Sequence, residues 1–383
     1  MTTTEKWPGR IALMVAHCAG MVDLVALPVW VGTLISAYKF DPQQAGGIVT
    51  LFLLGAVVAS VFFASRFNRV NGRLAATAGF AIAAVAFVVA STQSTFGSLA
   101  VAHAVAGLSA GTALSFTHGM IGRSANPHRL FAIVGTALGV FAIIFLGATP
   151  NLVTAFGGPV LFRVFAGVMA IAAVVAALAF PRPVSLEIGS GSTVQQKVGR
   201  AVWAAILGVS TMALIQAMIF SFVQQIGTDR GFGIQAVTGV LIGLGFVNLF
   251  PAPLAGILQK RLKAENVVLA GPVVQAVIAL LITLSASFIP YAGGTLFFAA
   301  VMIFTHTFAF GLLSRLEGTG RALAATPAML MIGSATGPIL GGTLVKSFGY
   351  PAIGIAACVF ALVAVALFSQ ARVRVVAVVP AAA

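Results

Sequence analysis

Asp23 is the residue whose type and position invite chemistry. It stands near the middle of a long apolar run from Arg10 to Tyr38, whereas Glu5, Asp41, Glu187, Asp229, Glu265 and Glu317 fall in tails or connections. About 20 consecutive apolar residues cross the hydrocarbon core of a bilayer, so the run reads as a membrane span. An ionised carboxylate at that depth costs roughly 2.5–3.5 kcal/mol on insertion scales. A chain that keeps one there has a use for it by default: a proton, an ion or a substrate. The chemistry of a lone carboxyl is proton binding and release, if a cavity opens to each side in turn. The plainer role is a carboxyl held neutral, or bonded to a neighbouring helix.

Five histidines accompany it. His103 is the natural partner, because imidazole titrates close to neutrality and a nearby carboxylate favours its charged form. At about 1.5 Å of rise per residue, Asp23 lies roughly 20 Å above Arg10 and His103 roughly 30 Å above Arg123, so any link is indirect or water-bridged. The alternative for His103 is a helix–helix hydrogen bond. His17, six residues before Asp23, and His118, near the cytoplasmic end of its span, lie where a proton exit path would run; interfacial or helix-bonding roles are the favoured reading for each. His306 faces the same choice, and His128 falls in a connection. No close i, i+4 His pair and no acid or thiolate at ligand spacing is present, so no metal site is expected.

The remaining polar residues within apolar runs are candidate substrate contacts: Asn151, Gln216, Gln224, Gln225, Asn248 and Gln275. Polar residues in bundles also commonly bond to neighbouring helices. Gln224 and Gln225 lie near the outer end of their span, where they meet water. The sequence shows no P-loop, nucleophile elbow or paired carboxylates, which argues against an enzyme or an ATP-driven pump. No cofactor is expected.

Twelve spans must position these groups. They read as roughly 10–37, 44–66, 73–92, 95–122, 130–155, 159–180, 200–226, 235–259, 265–288, 291–314, 322–347 and 351–370. With 60% hydrophobic residues, 7% charged residues and a mean hydropathy of +1.09, the chain lacks the polar surface of a soluble globule. Continuous rather than alternating runs favour helices over a barrel. The first run is too long for a cleavable signal peptide and carries Asp23. Cys18 and Cys358 both fall in spans, so no disulfide framework is expected.

A net charge of +14 would suggest nucleic acid in a soluble protein. Here 17 of the 21 basic residues sit in alternate connections on one side, leaving Lys39, Arg163, Arg230 and Lys346 for the other. That asymmetry puts both termini in the cytoplasm, and no nucleic-acid partner is expected. The longest polar interruption, 181–199, divides the spans six and six. The expected division is a bundle over 1–180, a cytoplasmic linker over 181–199, and a second bundle with a short tail over 200–383. The halves also repeat: Arg69 and Arg123 recur as Arg261 and Arg315, each 192 residues later. A duplicated bundle places substrate near mid-membrane between its halves.

Several motifs then resemble the major facilitator superfamily and, within it, the twelve-span drug:proton antiporters. The loop Ala64-Ser65-Arg66-Phe67-Asn68-Arg69-Val70-Asn71-Gly72-Arg73 is similar to the family's G-x-x-x-D-R-x-G-R-[KR], with Ala for the first Gly, Asn68 for the acid and one extra residue. Asp23 followed by Leu27-Pro28 resembles the family's first span, and Gln44 with Leu53-Leu54-Gly55 its second. His103, Gly107 and Gly111 follow the fourth-span pattern R-x-x-x-G, with His103 at the Arg position. Gly135, Gly139, Gly147 and Pro150 give a loose version of the antiporters' fifth-span pattern. Gly333, Gly337, Pro338, Gly341 and Gly342 match it fully in span eleven.

The resemblance implies two six-helix bundles and alternating access. The loop residues Asn68, Arg69, Gly72 and Arg73 and the glycine–proline positions Gly107, Pro150, Gly337 and Pro338 would serve gating. Asn68 removes the acid around which the family builds a charge latch, so a different cytoplasmic latch is expected. Small residues one turn apart permit close helix approach, and Pro150 and Pro338 would kink their helices. The function implied is proton-coupled efflux of small organic or drug-like molecules by a monomer in the cell membrane, the inner membrane if the chain is bacterial. Asp23 and His103 would couple protons; those two with Asn151, Gln216, Gln224, Asn248 and His306 would meet substrate. The alternative is a proton-coupled importer or uniporter of a small metabolite, such as an organic acid engaging His103 and Arg163.

Overall fold

The computed structural model describes residues 6–64, 66–67, 69–181, 199–316 and 326–371. Fifteen helices among the described residues form twelve crossings. They are α1 (Trp7–Gly20), α2 (Val22–Ser36), α3 (Pro42–Ala64), α4 (Gly72–Ala90), α5 (Phe96–Gly122), α6 (Pro127–Phe156) and α7 (Pro159–Ala179). After the connection come α8 (Arg200–Phe220), α9 (Val223–Asp229), α10 (Ile234–Val247), α11 (Pro251–Leu258), α12 (Ala264–Leu284), α13 (Phe288–Leu316), α14 (Thr326–Phe348) and α15 (Tyr350–Gln370). Spans one, seven and eight are each built from two helices. Residues 182–198 of the linker, the Asn68 position and the His128 side chain lie outside the described residues.

The helix starts follow from their capping residues. Asn71 accepts from the N–H groups of Arg73 and Leu74 to open α4, and Thr95 accepts from Ser98 to open α5. Asn126 does the same for α6, with Pro127 at the first position. Each satisfies N–H donors that a helix start leaves without partners. The duplication is visible in the backbone as well. Gly157 (φ +81) ends α6, and Gly349 (φ +77), 192 positions later, ends α14; each is followed two residues on by a proline. A positive φ needs glycine in both turns.

Packing repeats the same symmetry. Within the first half α3 and α4 pack on α5, and α4 on α7; within the second, α10 and α12 pack on α13, and α12 on α15. Between halves, α3 meets α14 and α6 meets α10. Span two thus touches span eleven as span eight touches span five, the pattern of two bundles related by a two-fold axis. Large apolar side chains such as Leu178 (74% exposed) and Leu362 (70% exposed) line the outside. An exterior of that kind suits acyl chains, not water. Eleven of the crossings are long and apolar enough to span a bilayer, and Thr326–Phe348 completes the set.

α6 and α14 run on as helices through Pro150 and Pro338 without a break. The interruptions fall at Met21, at Ser221–Phe222 and at Asn248–Phe250. At the first, Leu24 N–H turns to the Met21 carbonyl three residues back. At the second, the Ser221 hydroxyl bonds the Ala217 carbonyl at 2.6 Å and Phe222 N–H closes on Ile219. Side-chain back-bonding of this sort bends helices. At the third, Leu249 and Phe250 both close three residues back before Pro251 restarts the helix.

Candidate functional site

Asp23 sits in the first turn of α2, two residues after the break at Met21. It is 3% exposed, and its Oδ1 has no hydrogen-bond partner. The break leaves N–H groups of a new helix start beside the carboxyl, where a negative charge is favoured. A buried oxygen without a partner is costly unless something else comes to it. A proton or a donor-bearing ligand would satisfy it.

Just below, toward the cytoplasm, the structure brings together two residues that are 101 positions apart. His17 Nδ1 lies 3.1 Å from His118 Nε2, with ring centroids 5.2 Å apart. His17 belongs to α1 and His118 to α5; the Phe131 ring stands edge-on to His118. One nitrogen of this contact must carry the hydrogen and the other accept it. At about 1.5 Å per residue, His17 is roughly 9 Å from Asp23 along the helix axis.

His103 is placed differently. Its Nδ1 lies 2.7 Å from the Leu99 carbonyl and donates there, while its Nε2 accepts from Trp30 Nε1 at 3.2 Å. Phe87, Phe162 and Trp30 rings surround it, and the side chain is fully buried. Both ring nitrogens are therefore engaged, in the neutral tautomer with hydrogen on Nδ1. This ties the second part of span one to span four. Trp30 was not singled out from the sequence, although an indole N–H within a bilayer needs an acceptor and the chain has only three tryptophans.

The other candidates divide by environment. Gln224 on α9 is buried with Oε1 unpartnered, and its amide packs against Gly32 of α2. The broken first spans of the two halves meet there. Gln275 donates to Gln216 Oε1 at 3.2 Å and to the Met212 carbonyl, with its own Oε1 unpartnered. Asn248 stands at the break between α10 and α11 with Oδ1 unpartnered. His306 likewise keeps Nδ1 without a hydrogen-bond partner and packs on Phe310 at 5.0 Å. Leu138 packs against the small cluster of Met21, Ala56, Leu114 and Met331, while the next residue, Gly139, faces Leu249. The two parts of span one, α1 and α2, and the first part of span eight, α10, all pack on α6. Asn151 stands apart: it is exposed on α6 and bonds the Gly147 carbonyl of its own helix. Gln225 bonds Asp229 at 2.6 Å.

Of the motif residues, Arg73 donates to the Ala177 and Leu178 carbonyls at the end of α7. It satisfies carbonyls that a helix end leaves open. Arg69 is exposed, and Gly72 opens α4 against Phe116. Gly107 lets α5 lie directly on the Phe52 backbone of α3, and Gly337 lets α14 lie on α8 at Ala217.

The halves join at their outer ends. Lys346 Nζ meets Asp41 Oδ2 at 3.0 Å, and Gln43 donates to Thr343 at 3.3 Å. Gly46 and Gly342 allow this contact: a Cβ on either would stand 2.1 Å from a backbone oxygen of the opposite half, Pro338 O and Pro42 O respectively. Ile339 N–H, just after Pro338, donates to Thr50 Oγ1 across the same seam. This structure is closed on its outer face.

A family model described as Major Facilitator Superfamily matches residues 12–318. A search of curated proteins finds no match. Among solved structures, the nucleoside transporter NupG aligns at TM-score 0.75 and 12% identity, covering 98% of this chain and all of that one. A point mutant of the same transporter aligns at 0.74 and 12%, covering 94% and 98%. A bacterial homologue of the human lysosomal transporter Spinster, inward-facing and unoccupied, aligns at 0.68 and 14%, covering 96% and 95%. At these identities the likeness is one of fold. The antiporter branch rests on the residues alone.

Proposed function

The chain belongs to the Major Facilitator Superfamily, and from that premise we propose that it is a proton-coupled exporter of small organic, drug-like molecules. A secondary transporter of this fold moves solute by opening a central site to each side in turn. Asp23 is the coupling group in this reading. The carrying observation is its position: a buried carboxyl at a helix break, with Oδ1 unpartnered. A proton neutralises it in one part of the cycle and a cationic or donor-bearing substrate does so in another.

The His17–His118 contact offers a route between Asp23 and the cytoplasm, since one proton can pass along that nitrogen-to-nitrogen link. His103 positions rather than carries, because both its nitrogens are already engaged and it orients Trp30, two turns along Asp23's own helix. Gln224, Asn248, Gln216 and His306 stand as the polar contacts available to substrate from the second half. The rocking bodies are the halves 1–180 and 200–383, acting as a monomer in a cell membrane. The importer reading keeps only Arg163, exposed near the start of α7, as an anchor for an organic acid, since His103 is committed to Trp30 and Leu99.

The test is transport by purified protein in proteoliposomes under an imposed pH gradient, with a panel of lipophilic cations and organic acids. Gradient-driven movement of cations opposite to protons supports this reading. Uptake restricted to acids or neutral metabolites, moving with protons, sinks it.

A further inference from the structure

We propose that the wedge between α11, α12 and α13 is a binding site for one anionic phospholipid, with its headgroup at the cytoplasmic rim. The break at Asn248–Phe250 makes Pro251–Leu258 a helix of its own, and a groove of about 480 Å³ opens beside it. Its walls include Phe250, Leu254, Val274, Phe297 and Phe304, and Thr305 is the one polar residue lining it. Phe250 is 67% exposed and Leu254 is 46% exposed, and the other two walls, α12 and α13, make none of the main contacts between the halves, so the groove faces the lipid.

A second pocket continues from the same wall, sharing Val267 and Ala270, and is lined by Arg261, Lys263 and Asn266. From Lys263 to Val274 the wall of α12 descends eleven residues, about 16 Å at the usual helical rise. That is room for the upper part of an acyl chain beneath a phosphate.

Charge selects the headgroup. The acid nearest this rim, Glu265, is paired with Arg315 at 3.3 Å. Among the described residues the ion pairs are that one and Lys346–Asp41, so Arg261 and Lys263 are left to meet an anion. Basic pockets between helices on the cytoplasmic side bind anionic lipid heads. A soluble anion would have no use for the apolar groove below, and a zwitterionic head would bring an ammonium group toward two cations.

The experiment titrates detergent-purified protein with phosphatidylglycerol and with phosphatidylcholine, reading bound lipid by native mass spectrometry. Four proteins are compared: wild type, Arg261→Gln/Lys263→Gln, Ala270→Trp to fill the groove, and Arg129→Gln as a basic residue on another cytoplasmic connection. Wild type and Arg129→Gln should bind one phosphatidylglycerol saturably and phosphatidylcholine far more weakly. The double variant should bind it about 30-fold more weakly, the loss expected for two cations near an anionic head. Ala270→Trp should lose it although the charges remain; if that protein is not monodisperse, Val274→Trp, at another exposed wall position, replaces it. Equal loss with Arg129→Gln, unchanged binding by the groove-filled protein, or equal competition by glycerol 3-phosphate would overturn the proposal. The transport assay is independent of this readout, so failure of the lipid site leaves the exporter reading untouched.

Discussion

Lys346, in the last turn of α14, reaches across the outer seam to Asp41, 305 positions earlier in the chain, at 3.0 Å. The pair joins the two halves at the side of the membrane where basic residues are scarce. Partial burial alone would raise the Asp41 carboxyl, but the Gln44 N–H and Lys346 outweigh it and hold the group below the usual carboxylate range. The charged form is therefore the one that clasps. The clasp is complete at neutral pH and above, and it is lost as the outer pH falls through that lowered value.

Asp41→Asn should accordingly favour outward opening. An exposed ion pair is worth roughly 0.2–1 kcal/mol, so the shift in population should be fivefold at most. Distances between spin labels on the outer ends of α3 and α14 check this. Wild type should hold its closed distance from neutral pH down into the usual carboxylate range and shift towards open only as the pH falls below it.

The seam itself is made by missing side chains. Gly342→Val should prevent outer closure, because the new Cβ would stand 2.1 Å from the Pro42 carbonyl oxygen. Overpacking of this kind costs typically 1–3 kcal/mol, or about five- to 150-fold in the closed population. The same spin-label pair should report a persistently open outer face in a protein that remains monodisperse.

His17 and His118 should matter to proton movement and not to substrate recognition. His118→Phe should slow gradient-driven transport by about tenfold, on the order of 1.4 kcal/mol on the barrier. Substrate affinity and equilibrium exchange, which need no net proton transfer, should stay within about twofold. A parallel loss of binding would mean that the pair is a structural clasp between α1 and α5.

Trp30 and His103 form a pair whose members depend on each other. Trp30→Phe strands His103 Nε2 inside an aromatic cage, and an unsatisfied buried polar group costs about 1–3 kcal/mol. Trp30→Phe combined with His103→Leu removes both partners and should be less harmful than the single change. Thermal unfolding of wild type and these two variants, followed in one detergent, provides the comparison.

Much of the fold could be read from the chain because each crossing is a continuous apolar run, and such a run has few other uses. The read boundaries of spans five and six, 130–155 and 159–180, lie within three residues of α6 and α7. The helix breaks were not legible in the same way. Met21 and Ser221 lie inside apolar runs with no proline beside them, and the bend comes from hydroxyl back-bonding and shortened backbone closures. Proline, the residue that usually signals a kink, sits in α6 and α14 without interrupting them.

Asp23 is the most conspicuous candidate in the sequence, because its residue type stands out against its surroundings. The partners of His17 and His103 lie 101 and 73 positions away, beyond the reach of any local spacing rule. Asn151 shows the converse: a polar residue in a span, but on the helix face turned outward and bonded to its own backbone. Asp41 and Lys346 were read only as charges in connections. The usable signal was that Lys346 is one of only four basic residues on the outer side.

The most direct test of the central claim compares wild type with Asp23→Asn in proteoliposomes, measuring both gradient-driven transport and exchange of labelled for unlabelled substrate. The account predicts that Asp23→Asn, folded and monodisperse, loses pH-gradient-driven accumulation entirely and no longer releases protons when substrate is added. Accumulation at the wild-type rate by Asp23→Asn would contradict it and leave Asp23 a packing residue.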